Sequence, residues 1–422
     1  MAENLKPAID LCEAGVPVHP LAARGWQAGS HLLKAASNPH GKDLLMPDEQ
    51  APKAGEKIML PKLAATFRKV AEQGKDGFYT GPIAESVAAA VRANGGVMEA
   101  SDLAAHTTDF VTPISTTFRG YTVYEVPPPT QGITALIALN ILGCLDAHEF
   151  GHNSSSYLHL IAEALRLAFA DAETWVADPR EVPTVPTAGM LDAGYAKQRA
   201  GLVARGPGAK ALPAVKAGDL IPKGSETVYF CAVDGEGNAC SMINSNYMGF
   251  GTGIVPEDCG FTLQNRGYNF SLQAGHLNEV APGKRPYHTI IPGMLTKDGK
   301  LEAAFGVMGG FMQPQGHVQV LMNMIEYGMN PQDALDAPRI CLSNSATNAH
   351  TVGSWATGVV MAAEEGIDED TVAELRSQGH EVTMVRGYDR EVFGRGQIIR
   401  KQENGVLVAG SDQRADGCAM GW

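Results

Sequence analysis

Ser225-Glu226-Thr227-Val228-Tyr229-Phe230-Cys231-Ala232-Val233-Asp234-Gly235-Glu236-Gly237-Asn238-Ala239-Cys240-Ser241-Met242-Ile243 decides how the rest of the chain is read. β-Branched and aromatic residues run into an Asp-Gly-Glu-Gly-Asn turn and a second apolar run follows at once, which is the pattern of a β-hairpin. Thr227 opens the first strand. By itself a threonine there needs no explanation beyond its strand propensity.

The segments around the hairpin give it a second meaning. Downstream lie the polar, glycine-rich Asn244-Ser245-Asn246-Tyr247-Met248-Gly249-Phe250-Gly251-Thr252-Gly253-Ile254, then Pro286-Tyr287-His288-Thr289, then Gly306-Val307-Met308-Gly309-Gly310. Pro127-Pro128-Pro129 stands upstream, and Asp336-Ala337-Pro338-Arg339 and Gly410-Ser411-Asp412-Gln413-Arg414-Ala415-Asp416-Gly417 follow near the end. No one of these is specific alone. In this order and spacing they resemble the γ-glutamyltransferase family of N-terminal-nucleophile hydrolases, from about Pro7 to the end of the chain.

The resemblance implies an α+β fold, the four-layer αββα sandwich of the Ntn hydrolases, built as one domain cut into two intertwined subunits. Residues 1–226 correspond to a mostly helical large subunit ending in a mobile connector, 179–226. Residues 227–422 correspond to a small subunit that begins at its nucleophile. The chain enters the resemblance in the middle of the family's large subunit. The family's opening strands, and an arginine that holds the substrate carboxylate, are therefore expected to be missing from this sequence, as in a fragment or an incomplete gene model.

In that family the precursor cuts itself before a threonine, here between Glu226 and Thr227. The chemistry is sound, because a threonine hydroxyl is a weak nucleophile and a new α-amine, titrating at about 7.7–8.0, can take its proton. Ser245 matches a hydroxyl that bonds the nucleophile. Gly309 and Gly310 match the turn whose N–H groups form the oxyanion hole, where no Cβ blocks approach. His288 and Thr289 stand at a pair of serines that contact the substrate carboxylate, and the His288 ring is expected to add charge as the pH falls.

Two departures bear on the substrate. Where γ-glutamyl enzymes carry a glutamine and, three places later, an aspartate that pairs with the substrate ammonium, this chain has Arg266 and Asn269. A neutral amide is a weaker partner for an ammonium than a carboxylate is, whereas an arginine favours a carboxylate. Tyr247 replaces a usual asparagine. These changes resemble a γ-glutamyltransferase-like branch that includes oxamate amidohydrolases.

The implied reaction is cleavage of γ-glutamyl amides such as glutathione through an acyl-enzyme on Thr227, released to water or an amine acceptor. An amidohydrolase for small carboxylate-bearing amides of the oxamate kind is the alternative, and a truncated, non-catalytic family member is a third reading. No cofactor and no metal are expected, and the two processed subunits are expected to associate.

Composition narrows the partners. The net charge of −13 and a pI near 5.4 argue against nucleic acid or an anionic membrane. Seven scattered cysteines show no zinc-site spacing, and Cys231 and Cys240, which flank the hairpin turn, read as free thiols in a reducing compartment. The twelve histidines suggest no ligand cluster, and His159 reads as a surface residue. No apolar run reaches the length of a membrane span. Met1–Lys6 leads into no apolar signal segment, so the reading leans cytoplasmic.

Periodicity places helices over 7–35 (broken at Pro17 and Pro20), 60–73, 81–94, 133–145, 157–172, 316–327, 331–337 and 364–377, with a short one capped by Ser101-Asp102-Leu103. It places strands on either side of Arg119-Gly120 and over 382–385, 396–401 and 406–408. Residues 179–223, rich in Ala, Gly and Pro, read as connector alone.

Overall fold

Proline placement starts three of the six α-helices of the first compact unit, which comprises residues 1–110 and 246–265. The structure, a computed structural model, describes residues 1–206, 208–213, 226–343 and 359–422, and of Glu226 the backbone alone. α1 (Ala2–Ala14) stops at Gly15, and β1 (Val16–Pro17) leads into α2 (Pro20–Leu33). β2 (Lys57–Ile58) pairs antiparallel with β1 and is followed by α3 (Pro61–Gln73), α4 (Asp76–Tyr79), α5 (Gly81–Ala93) and α6 (Ala100–Ala104). Proline opens α2, α3 and α5, where the N–H it lacks would have no helical partner. α6 starts earlier than the expected cap. Glu99 and Asp102 exchange a capping box there, and Ser101 lies inside the helix.

The second unit comprises residues 111–245 and 266–422. It begins with β3 (Ile114–Phe118) and β4 (Tyr121–Glu125), joined by a tight turn in which Arg119 (φ 48°) and Gly120 (φ 84°) are both left-handed. α7 (Gly132–Gly143), α8 (Ser155–Trp175), α9 (Thr187–Met190) and α10 (Ala193–Ala200) follow. The hairpin β5 (Glu226–Val233) and β6 (Ala239–Tyr247) comes next, and the expected subunit boundary falls at its first strand, inside this unit.

β7 (Gly293–Lys297), β8 (Lys300–Met308), α11 (Met312–Ile325), α12 (Pro331–Asp336), β9 (Ile340–Ser343), β10 (Val360–Glu364), α13 (Glu369–Ser377), β11 (Glu381–Val385), β12 (Arg395–Lys401) and β13 (Leu407–Ser411) complete the unit. Its main sheet runs β13-β12-β8-β7-β4-β3 with every neighbour antiparallel, and β9, β10 and β11 form a smaller sheet. Helices lie against the main sheet and the β5–β6 hairpin packs on β8 and β12, so the α+β expectation holds.

Burial follows this arrangement. α7 is apolar all round and almost wholly buried, because the sheet, α8 and α11 surround it. Each Leu or Ile it buries contributes roughly 1.5–3 kcal/mol. Leu158, Ile161, Leu165 and Phe169 make one apolar stripe along α8, but the helix is enclosed by α7, β9 and α13 and buries its charges as well. Of those charges, Glu163 pairs with Arg166 and Asp171 with Arg199 of α10.

Three expectations are corrected. α11 begins at Met312 rather than Gly316, since Pro314 falls in its first turn and is tolerated there. Glu364 ends a strand, and the helix starts only at Glu369, after the left-handed Gly366 (φ 105°). The connector is not bare. α10 is capped by Asp192, which accepts from the N–H groups of Gly194 and Tyr195, and it packs on α7. Residues 207 and 214–225 of the expected connector lie outside the described residues.

Candidate active site

β5 and β6 alternate cleanly. Thr227, Tyr229, Ile243 and Tyr247 point inward, while Val228, Phe230 and Met242 are exposed on the other face. Tyr229 decides the seating of the hairpin, because its ring lies where Gly306 of β8 has no side chain. A Cβ built at Gly306 would come within 2.4 Å of that ring. The Tyr229 hydroxyl bonds Ser241 across the hairpin at 2.8 Å. Two residues before Tyr229, the buried Thr227 donates from its Oγ1 to Ser245 Oγ at 3.1 Å. The nucleophile candidate and its expected hydroxyl partner are therefore together.

At the end of β8 the chain turns through Gly309 (φ 136°) and Gly310 (φ 59°), conformations that favour glycine at both positions. A Cβ on Gly309 would also meet Gly394 Cα at 3.0 Å. The Gly309 carbonyl accepts from Met312 N–H at 3.0 Å and the Gly310 carbonyl from Gln313 N–H at 3.1 Å. Among the described residues no acceptor takes the N–H of Gly309 or Gly310. Donors without an acceptor are one condition an oxyanion hole requires.

The residues expected at the acyl group form a second cluster. Arg266 is buried and donates from Nη1 to the hydroxyl of Thr289, which is itself fully buried. Asn269, at the far end of the same single turn (Arg266–Asn269), donates from Nδ2 to the Tyr287 carbonyl at 2.9 Å, and its own carbonyl accepts from Asn278 at 2.6 Å. Its side-chain Oδ1 is buried with no partner, so this amide offers an acceptor. His288 departs from expectation. Burial, with Arg266 and Arg285 nearby, pushes its pKa down to about 3, so the ring stays neutral where it was expected to gain charge. Tyr247 is fully buried with φ 75° and belongs with residues 246–265 to the first unit.

One participant was missed. Gln131, the N-cap of α7, is fully buried and donates from Nε2 to both the Thr289 carbonyl and the Gly310 carbonyl, each at 2.7 Å. In the sequence it ends a proline-rich loop that reads only as stiff.

The motifs near the C-terminus support this region from behind. Asp412 takes Arg339 Nη2 at 2.7 Å, Arg414 Nη1 at 3.0 Å and the Gly396 N–H at 2.9 Å, while Arg339 holds the Phe393 carbonyl at 2.9 Å beside Gly394. Burial works against the Asp412 charge, yet the two guanidiniums keep its carboxyl below the usual range. Arg414 also pairs with Glu364 at 2.6 Å.

His159 is not on the surface. It is buried beside Glu163 and His380, the three offering ligand atoms within 4.8 Å of one another, which corrects the expectation that no such cluster exists. Protein partners account for the group. His159 Nε2–H donates to the Ala204 carbonyl at 3.2 Å, which leaves Nδ1 to accept from His380 Nε2–H at 2.8 Å, and Glu163 accepts from Arg166 and the Leu212 N–H. The seven cysteines are free, and burial pushes the Cys231 thiol up to about 11. No helix among the described residues is long and apolar enough to cross a membrane.

Comparison with known proteins bears on the family and the fold. The sequence model of a family described as Gamma-glutamyltranspeptidase matches residues 1–422. The chain is 36% identical to the glutathione hydrolase-like YwrD proenzyme of Bacillus subtilis, over 100% of this chain and 76% of that protein. It is 31% identical to the oxamate amidohydrolase proenzyme of Klebsiella pneumoniae, over 100% of this chain and 76% of that protein. The crystal structure of a cephalosporin acylase from Bacillus halodurans superposes with a TM-score of 0.88 at 39% identity, covering 100% of this chain and 74% of that one. The fold is thus the α+β fold of an N-terminal-nucleophile hydrolase.

Proposed function

Because the chain belongs to the γ-glutamyltranspeptidase family of N-terminal-nucleophile enzymes, whose members are amidohydrolases and acyltransferases, we propose that Thr227 is its nucleophile, released by a cut after Glu226. The observation that carries this reading is the 3.1 Å bond from the Thr227 hydroxyl to Ser245 at the head of the inward hairpin face. The cut would free an α-amine on the same residue, and that amine takes the hydroxyl proton as the oxygen attacks an amide carbonyl. The Gly309 and Gly310 N–H groups take the developing oxyanion, the amine leaves with a proton, and water or an acceptor amine opens the ester. The relatives' description as proenzymes supports the self-cut.

For the acyl group, Arg266 and Thr289 supply donors to a carboxylate, and Asn269 Oδ1 supplies an acceptor to a neighbouring ammonium. That pair of contacts suits a γ-glutamyl amide of the glutathione kind. A second reading, a small amide such as oxamate, is favoured by the neutral amide at position 269, which binds an ammonium less strongly than a carboxylate would. The seven free thiols fit a reducing, cytoplasm-like compartment.

Intact mass of the purified chain beside Thr227→Ala tests the nucleophile, and release of a chromogenic amine from a γ-glutamyl anilide against ammonia from oxamate tests the acyl group. A wild type cut before Thr227, an uncut variant, and turnover of one substrate are expected. An uncut wild type without turnover would overturn the reading.

A further inference from the structure

We infer that Gln131 is a positioning residue that locks the oxyanion turn to the loop carrying Thr289, an inference that rests on the functional reading above. Its amide nitrogen has two hydrogens and both are committed, one to the Thr289 carbonyl and one to the Gly310 carbonyl, each at 2.7 Å. The side chain is fully buried and its Oε1 has no partner. A buried acceptor left empty costs stability, so the site tolerates a loss in order to place one neutral nitrogen between two carbonyls.

The backbone around Gln131 fixes where that nitrogen sits. The Gln131 N–H donates to the His288 carbonyl at 2.9 Å, and the His288 N–H donates to the Pro129 carbonyl at 2.8 Å. The loop before α7 is thereby stitched to the residue preceding Thr289, and the side chain has only to reach across to Gly310.

The effect on Gly310 follows from peptide planarity. The plane before its Cα is held through the Gly309 carbonyl by Met312 N–H, at 3.0 Å. The plane after it is held through its own carbonyl by Gln131 Nε2 and, at 3.1 Å, by Gln313 N–H. A glycine with both planes held stays at φ 59°, whereas a freed glycine samples the many conformations open to it and takes its N–H out of line. Donors aimed before the reaction are what make an oxyanion hole effective. Each end keeps one other anchor, Thr289 the side chain of Arg266 and Gly310 the Gln313 N–H, so loss of the strap loosens the turn without releasing it.

Gln131→Met keeps length and apolar volume but removes both donors. Kinetics on the substrate that the wild type turns over, normalised by active-site titration of the acyl-enzyme, should show kcat per site down by roughly tenfold or more, below the 10²–10³ typical of losing an oxyanion donor outright. KM should stay within about threefold, and a boronate mimic of the tetrahedral intermediate should lose affinity in parallel with kcat/KM. If Gln131→Met does not fold, Gln131→Asn, whose shorter arm cannot span both carbonyls, is judged by the same criteria. Unchanged kcat per site and unchanged boronate affinity, whatever happens to Tm, would overturn the inference and leave the functional reading intact. A wild type without turnover would overturn the functional reading and this inference with it.

Discussion

The ring of Tyr229 occupies the space above Gly306 that a side chain would fill, and so sets how the hairpin rests on the main sheet two residues from Thr227. Gly306→Ala would place its Cβ 2.4 Å from that ring. Such overpacking costs about 1–3 kcal/mol. Urea unfolding should show that loss in Gly306→Ala, with part of it recovered when Tyr229→Leu is added. Additive losses in the double variant would mean that the two residues are not in contact.

Ser245 accepts the Thr227 hydroxyl at 3.1 Å, and it is the side chain in place to orient that oxygen. Ser245→Ala should leave Tm within a few degrees and slow both the cut before Thr227 and substrate turnover. The expected loss is roughly tenfold to a hundredfold, the range for a hydrogen bond to a group gaining charge. Mass spectrometry over a time course reads the first, and steady-state kinetics the second. An unaffected rate in both would remove Ser245 from the chemistry.

Much of this arrangement is legible in the sequence because it depends on local pattern. The hairpin is announced by alternation and an Asp-Gly turn, and the Arg119-Gly120 turn by the strands around it. What escapes is set by distant packing. α8 carries a stripe of Leu158, Ile161, Leu165 and Phe169, and nothing in that periodicity reveals that β9 and α13 will cover its opposite face and bury His159. α10 has a good N-cap in Asp192, but Ala and Gly on both sides hide its period. Gln131 is invisible for a related reason, since its two acceptors are 158 and 179 residues away in the chain.

The buried Asp412 network should respond to both mutation and acid. Asp412→Asn leaves the guanidiniums of Arg339 and Arg414 without their shared carboxylate, and breaking a buried pair costs about 3–5 kcal/mol. Arg339→Met should cost a similar amount, and the double variant less than the sum. Equal losses for single and double variants in denaturant unfolding would support the coupling, and strict additivity would refute it.

Acid should also act through histidines that stay neutral in the folded chain. His288 and His380 titrate at about 3 when folded, against about 6.5 in an unfolded chain. Between those values the unfolded state binds more protons, so stability is complete above about pH 6.5 and falls as the pH drops toward 3. Unfolding free energies at pH 7.5 and pH 5 should differ more for the wild type than for His288→Gln. Turnover should show no inflection from His288 between pH 5 and 8. An inflection that disappears in His288→Gln would show that the ring does charge.

The acyl contacts can be separated by what each substitution removes. Thr289→Val deletes the hydroxyl that accepts from Arg266 while keeping the buried volume, so the guanidinium loses an anchor in the folded protein. A contact made equally to substrate and transition state affects KM and leaves kcat alone. Thr289→Val should therefore raise KM for carboxylate-bearing amides several-fold with kcat nearly constant. Asn269→Asp is the opposite case, because two effects compete. A carboxylate would bind an ammonium better than the present amide, but it would also face the Tyr287 carbonyl, which now receives the Asn269 Nδ2 hydrogen bond at 2.9 Å. Leaving that buried carbonyl unpaired costs about 1–3 kcal/mol, enough to lower Tm by several degrees. A γ-glutamyl anilide should then bind more tightly to a less stable enzyme. If its KM fails to fall while Tm does, Asn269 serves the loop and not the substrate, and the ammonium contact belongs to another residue.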